Sequence, residues 1–301
     1  MEKMLTTSLE EAIHSVFGSE RSVSGKNAVS GGDINEAYCL TLDDGTPVFM
    51  KSNAPQCLPN FQAEAEGLEA IRRTGAIGVP KVLALGRESH FSFLLLEYAS
   101  GRRQADDYWE VFAQELAAMH QAVPADKDQS SYESFYGFSH DNWIGETVQK
   151  NTKHKTWISF FRDCRLRPQM EAAERYFSAG DRKRAQWLLD HLDRYLIEPA
   201  RPSLVHGDLW AGNLITGNDG KGWLIDPAVY YGHPEVDIAM TQLFGGFSGR
   251  FYECYKEAGK MEPGYADRRD LYNLYQLLNH LNMFGSGYLG SVRRILSRYA
   301  G

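Results

Sequence analysis

The sequence predicts an α+β fold in two parts, a small sheet-rich part followed by a larger, mostly helical one. Three observations carry this reading. Short β-type runs crowd the first third of the chain, with a helical stretch among them. Six helical stretches follow beyond residue 101. Between the two patterns, Tyr98-Ala99-Ser100-Gly101 fits neither and reads as a hinge. The predicted parts are therefore residues 1–97, a hinge at 98–101, and residues 102–301.

Taken in order, residues 5–17 read as an amphipathic helix, with Leu5, Leu9, Ile13 and Val16 or Phe17 on one face. Short strands follow at 28–29, 38–42, 47–51, 79–86 and 91–97. Asp43-Asp44-Gly45 is a hairpin turn in which the glycine takes the positive-φ position. Residues 61–74 read as a helix that Gly75 ends. Residues 25–97 thus predict a five-stranded antiparallel sheet and one helix. Beyond the hinge, helices are predicted at 107–121, 157–177, 181–195, 236–244, 251–258 and 268–284, with 122–156 rich in loops. Internal repeats and low-complexity tracts are absent.

Composition narrows the function. With 301 residues, 43% apolar and 24% charged, the chain is globular and long enough for a substantial core. A net charge of −7 with scattered Lys and Arg argues against nucleic acid as a partner. Cys39, Cys57, Cys164 and Cys254 form no C-x-x-C pair and no zinc spacing, so free thiols in a reducing cytoplasm are expected. The acidic residues Glu2, Glu10 and Glu11 speak against a signal peptide, and the apolar run around 93–96 is too short to span a bilayer.

The chemistry concentrates in Leu204–Pro227, LVHGDLWAGNLITGNDGKGWLIDP. Asp208 is followed five residues later by Asn213 and thirteen beyond that by Asp226. Apolar runs precede both carboxylates, as in short buried strands that deliver a polar residue to a cleft edge. Alone, Asp208 and Asn213 would read as loop caps and Asp226 as a turn residue before Pro227. In register, H-x-D-x-x-x-x-N and a later strand ending in Asp form a phosphoryl-transfer layout. Asp208 would take the acceptor hydroxyl proton, while Asn213 and Asp226 would hold Mg²⁺ with hard oxygen atoms.

A nucleotide side is legible upstream. Lys51 ends a strand and is placed to reach ATP phosphate oxygens. Its partner should be a carboxylate of the next helix, Glu64 or Glu66. The stripe Phe61, Ala65, Leu68 and Ile71 favours Glu64 and points Glu66 outward. Gly31 and Gly32, between two strands and ahead of Lys51, suit a loop laid over phosphates. In the run Glu97-Tyr98-Ala99, the carbonyl of Glu97 and the N–H of Ala99 are candidates for pairing with adenine.

Through HGDLWAGN and DPAVYYGHPEVD, the chain resembles the fructosamine kinase (ketosamine-3-kinase) family almost end to end. The segments SGGDINEAY, VFMKSN, HDNWIGE, WISFFRDCRL and LFGGF carry the resemblance further. Trp210 and Tyr231-Gly232-His233 set this pattern apart from choline, aminoglycoside and homoserine kinases of the same fold. The resemblance implies a protein-kinase-like, bilobal fold and ATP-dependent phosphorylation of the sugar 3-hydroxyl of ketoamines, on small amines or on glycated protein lysines. The phosphorylated adduct then falls away and the amine is repaired. The resemblance also implies Asp208 as base, Asn213 and Asp226 as Mg²⁺ ligands, and Lys51–Glu64 as the phosphate anchor. Asp226 is followed by Pro227-Ala228 rather than Phe-Gly, so no long activation loop is implied.

Trp210, His233 and Arg165 are the candidates for touching substrate, weighed against plain packing. His206 reads as a loop brace, and Asp237 as a loop-bracing carboxylate or N-cap. Three other readings stand beside the ketosamine kinase: a kinase of another amino alcohol or amino sugar, a kinase-like binding module without catalysis, and a metallohydrolase of His206, Asp208, Asp226 and His233. The last lacks the usual metal-ligand spacing.

Overall fold

The computed structural model describes residues 5–29, 34–101, 103–123, 135–259 and 261–300. The chain runs β1 (Leu5–Thr6), α1 (Leu9–Phe17), β2 (Val23–Ala28), β3 (Glu36–Leu42), β4 (Pro47–Asn53), α2 (Leu58–Arg73), β5 (Val82–Arg87), β6 (Ser92–Glu97) and α3 (Tyr108–Gln121). Then come β7 (Asn142–Ile144), β8 (Thr147–Gln149), α4 (Trp157–Phe160), α5 (Arg167–Ala172), α6 (Ala179–Asp190), β9 (Ser203–Val205), β10 (Leu214–Thr216), β11 (Gly222–Leu224) and β12 (Tyr230–Gly232). The helices α7 (Glu235–Leu243), α8 (Gly249–Gly259), α9 (Tyr265–Phe284) and α10 (Leu289–Ala300) complete it. The chain divides into two compact units. One is Met1–Phe112 with Leu214–Pro227, the other Ala113–Asn213 with Ala228–Gly301. The first unit therefore runs past the expected hinge into α3 and takes back a later hairpin.

In the first unit the sheet has six strands in the order β1-β5-β6-β4-β3-β2, not five. The added strand, β1, pairs parallel to β5, Leu5 with Leu85 and Thr6 with Gly86, so the sheet is not wholly antiparallel. A second correction follows from the same place. The first helix starts at Leu9 because Ser8 caps it, its side chain accepting from the Glu11 N–H at 3.0 Å. Leu5 and Thr6 are thereby released to pair as a strand too short for periodicity to reveal. Two helices, α1 and α2, accompany the sheet, where helical stretches were expected at 5–17 and 61–74.

Strand alternation sorts the side chains of β4. Val48 and Met50 join Leu40, Leu42, Phe93 and Leu95 in a core that α1 covers with Ala12 and Ile13. Lys51 faces the other way, toward α2. The hairpin β10–β11 belongs to the same unit. Its second strand is fastened by the Leu224 N–H donating to the Gly78 carbonyl at 2.9 Å.

The second unit is helical around α9. Leu271, Leu274, Leu278 and Leu281 of that helix are fully buried and pack with Trp157, Phe160, Phe161 and Tyr230. The predicted helix at 157–177 is interrupted by a π-helical turn, Phe161–Leu166, which widens its buried face to take in Phe161, Cys164, Arg165 and Leu166. The sequence reading passed over α10, which buries Val292, Ile295, Leu296 and Tyr299. Two small ladders complete the unit: β9 pairs with β12, Val205 opposite Tyr230, and β7 pairs with β8, Asn142 opposite Gln149.

Candidate active site

In the first unit, β4 supplies Lys51, α2 supplies Glu64, and the segment after β11 supplies Asp226. Lys51 Nζ lies 2.7 Å from Glu64 Oε1 and is also hydrogen-bonded to Asp226 Oδ1. Burial works against the Lys51 ammonium, but the carboxylates of Asp226 and Glu64 outweigh it and raise its pKa above the ordinary lysine value. Burial pushes the Glu64 carboxyl up. Lys51 pulls it back only in part, and the Asp226 carboxylate adds to the rise. Asp226 is the one described non-glycine residue with positive φ, at 54°. A left-handed Asp is a local cost that its surroundings must offset, a situation common at functional positions.

Glu66 is half-buried, not exposed as the helix phase suggested. The reason is that α2 buries a broad face, Ala63 and Gly67 as well as Phe61, Ala65, Leu68 and Ile71. Gly31 and Gly32 lie outside the described residues. The segment Glu97–Ala99 is braced by Asn218, whose Nδ2 donates to the Tyr98 carbonyl at 3.2 Å and to Glu97 Oε1 at 3.3 Å. Asn218 Oδ1 accepts from the Ser100 N–H at 2.8 Å.

In the second unit, β9 delivers His206-Gly207-Asp208. Every backbone polar group from the His206 N–H to the Gly207 carbonyl has a named partner. Asp237 accepts from the N–H groups of His206 at 2.7 Å and Gly207 at 2.9 Å. The His206 carbonyl accepts from the Ala228 N–H at 2.9 Å. The Gly207 carbonyl accepts from Gln276 Nε2 at 2.8 Å. Gly207 has φ 83°, and a Cβ there would meet the Ala228 carbonyl oxygen at 2.2 Å. Only glycine fits both demands. Asp237 is itself held by His120, Nε2 to Oδ2 at 3.0 Å, and His120 Nδ1 meets the Tyr255 hydroxyl at 2.7 Å. Asp237 thus braces the loop; it is the third residue of α7, which Pro234 precedes as N-cap. His206 is fully buried, and its Nδ1 accepts from the Asp208 N–H at 3.3 Å, also in a bracing position.

Asn213 turns back on Asp208, its Nδ2 donating to the Asp208 carbonyl at 2.8 Å and to Oδ2 at 3.2 Å. Trp210 is 41% exposed, and its indole lies over Gly212, where a Cβ would meet ring carbons at 2.3 Å. A family model described as fructosamine kinase matches residues 5–300. The chain belongs to the fructosamine kinase family. A probable ketoamine kinase of Synechocystis sp. is 39% identical over 291 residues, covering 96% of this chain and 95% of that one. The chloroplastic protein-ribulosamine 3-kinase of Oryza sativa subsp. indica is 38% identical over 287 residues, 94% of this chain and 80% of that one. The crystal structure of a putative fructosamine-3-kinase from Haemophilus somnus superposes with a TM-score of 0.85 at 29% identity, covering 98% of this chain and 97% of the other. The mixed α and β architecture is thus that of kinase-like phosphotransferases.

Two residues of the family's sequence pattern stand elsewhere than expected. His233 is 2% exposed, ringed by Trp157 and Tyr272, and its Nδ1 accepts from the Glu235 N–H at 3.2 Å. Burial, reinforced by Arg268 and His120, pushes its pKa down to about 3, so it is a neutral core histidine. Arg165 is fully buried, its guanidinium 3.9 Å from the ring centre of Tyr230 and 2.9 Å from Asn151 Oδ1. Neither side chain presents a surface to a sugar, and of the three substrate candidates Trp210 alone is exposed. The sequence reading also missed His120, Gln276 and Asn218. The only signal for His120 was a lone histidine on the apolar face of α3. Amides such as Gln276 and Asn218 leave none until their carbonyl partners are known.

Proposed function

We propose that this chain is an ATP-dependent ketosamine kinase, which phosphorylates the sugar 3-hydroxyl of fructosamine or ribulosamine adducts on small amines or protein lysines. The observation that carries the reading is the family match over residues 5–300 in a chain whose Lys51, Glu64 and Asp226 close into one ion-paired cluster around a buried ammonium. The kinases of choline or aminoglycosides and the non-catalytic module are not favoured by that match.

Asp208 is the base. Its carboxylate accepts the proton of the sugar hydroxyl as the oxygen attacks the γ-phosphorus, and ADP departs. The bracing of His206 and Gly207 keeps that carboxylate on a rigid backbone. Lys51, kept charged by two carboxylates, anchors ATP phosphates, and the backbone N–H groups of Gly31 and Gly32 would serve the same phosphates. Glu97–Ala99, where the first part meets the 98–101 hinge, receives adenine.

The donor atoms of Asn213 and Asp226 are of the hard oxygen type that magnesium prefers. Asn213 commits its Nδ2 to Asp208, which leaves Oδ1 as its hard oxygen, and Asp226 already balances a cation in the form of Lys51. Asn213 and Asp226 would hold Mg²⁺, which supplies neutralisation of phosphate charge when bound. Four free thiols, Cys39, Cys57, Cys164 and Cys254, suit a cytoplasmic setting.

Release of ADP measured with fructose-lysine, ribulose-lysine, choline and an aminoglycoside tests the reading. Turnover of a ketosamine that is lost in Asp208→Asn is expected. Equal or greater turnover of choline or the aminoglycoside would overturn it.

A further inference from the structure

A buried chain of amide groups runs through the second unit and ends beside the catalytic loop. Arg165 Nη2 donates to Asn151 Oδ1 at 2.9 Å, and Asn151 Nδ2 donates to Asn142 Oδ1 at 2.8 Å. Gln149 Nε2 donates to the same Asn142 oxygen at 2.8 Å. The second Nε2 hydrogen of Gln149 goes to the Ala228 carbonyl at 3.0 Å, and Asn142 Nδ2 donates to the Val229 carbonyl at 2.9 Å. Tyr275 closes the chain, its hydroxyl donating to Gln149 Oε1 at 2.8 Å. Asn142, Gln149 and Asn151 are all buried. One oxygen, Asn142 Oδ1, receives two donors and Gln149 spends both hydrogens and its oxygen, so the amide orientations are determined by the network itself.

The target of this network is the backbone just past Asp226-Pro227. Ala228 is a joint. Its N–H holds the His206 carbonyl, and its own carbonyl oxygen stands where a side chain on Gly207 would be. A shift of that carbonyl moves the turn from which Asp208 projects.

We propose that Gln149, supported by Asn142 and Tyr275, is a positioning residue for phosphoryl transfer. It fixes the Ala228 carbonyl, and through it the left-handed Gly207 turn that aims Asp208. The inference rests on the kinase reading for its catalytic consequence, but the mechanical part does not. It also accounts for the HDNWIGE segment and for Arg165, which the substrate site does not use. The hairpin β7–β8 places Asn142 and Gln149 opposite one another in register.

Gln149→Met keeps the length of the side chain and removes its donors. A misplacement of about 1 Å at a reacting group costs on the order of 100-fold. The variant is therefore expected to lower kcat about 10- to 100-fold, with KM for ATP within about threefold. Val148→Thr, on the exposed side of the same strand, is expected to change neither. Hydrogen exchange without substrate should show the His206, Gly207 and Ala228 amides opening faster in Gln149→Met. Should that variant fail to fold, Tyr275→Phe removes only the support of Gln149 Oε1, and a severalfold loss of kcat is expected. In whichever variant folds, kcat within twofold of wild type overturns the inference, with or without faster exchange. If wild type turns over no ketosamine, the kinase reading falls separately. The exchange experiment then decides alone, and unchanged protection of the three amides overturns the inference.

Discussion

Lys51 and Glu64, thirteen residues apart in sequence, meet at 2.7 Å in the first unit, and Asp226 shares the same ammonium. One buried cation thus balances two carboxylates. Removing Lys51 would leave two adjacent carboxylates, Glu64 mostly buried and Asp226 partly exposed, without their cation, whereas removing Glu64 leaves a paired Lys51–Asp226. Lys51→Met is therefore expected to lose stability as well as activity, because an unpaired buried charge is costly. Glu64→Gln should lose nucleotide affinity with a smaller change in melting temperature. Calorimetry with Mg·ATP and thermal unfolding of the two variants measure the difference. Equal stability losses would contradict it.

Asp208→Asn is expected to keep the fold and nucleotide binding while turnover falls by roughly 10²–10⁴, the usual worth of a positioned base. Backbone groups of His206 and Gly207 hold the loop, and an Asn at 208 keeps a side-chain oxygen for the Asn213 amide, so its shape should survive the change. A near wild-type kcat would remove Asp208 from the role.

The sequence revealed the elements with strong periodicity and the polar residues tied to short apolar runs. The choice of Glu64 over Glu66 as the partner of Lys51 was legible for that reason, and so were the places of Asp208 and Asp226 after short strands, their roles in the reaction being proposed. What escaped depends on long-range partners. Arg165 sits in an aromatic helix, where its sequence leaves substrate contact and plain packing both open. Its hydrogen-bond acceptors come from residues 150 and 151 and from its neighbour Cys164, and the ring against it comes from Tyr230, far along the chain. Asn142, Gln149 and Asn151 fall in the loop-rich stretch 122–156 and show no role until the carbonyls of Ala228 and Val229 are placed against Gln149 and Asn142. The strand β1 is two residues long, and α10 follows Gly285, Gly287 and Gly290 in or just before it, which blurs its start. His233 falls in a conspicuous motif, yet burial, not exposure, explains it.

His233 also makes stability depend on pH. Its pKa lies near 3 in the folded chain against an ordinary value of 6.5. Between those values the unfolded chain binds the extra proton and the folded chain does not, so this group's contribution to stability declines as pH falls from about 6.5 toward 3. Each pKa unit corresponds to about 1.4 kcal/mol. Glu235 acts in the opposite sense, since burial raises its carboxyl despite Arg268. The contribution of His233 is therefore isolated by comparison with His233→Asn. The urea midpoint of wild type should fall more steeply between pH 7 and pH 4 than that of the variant. Parallel slopes would show that His233 is not the residue responsible.

Trp210 is the remaining candidate for gripping the acceptor, and its neighbour Gly212 gives a way to test it without deleting it. The indole is 41% exposed two residues after Asp208, and it rests on the bare Cα of Gly212. An indole face suits the C–H side of a sugar, and an acceptor hydroxyl must come within about 2.6–3.2 Å of the base. Trp210→Ala is expected to raise KM for ketosamines by about tenfold or more while KM for ATP and the melting temperature change little, because a half-exposed ring contributes more to an acceptor than to the core. Gly212→Ala keeps the ring but forces it off its seat, since the new Cβ would meet ring carbons at 2.3 Å. The same selective rise in ketosamine KM should appear, smaller than in Trp210→Ala, because an exposed ring can swing aside and still reach the sugar. Equal losses for ATP and ketosamine in Trp210→Ala, or a collapse of its melting temperature, would make Trp210 a packing residue.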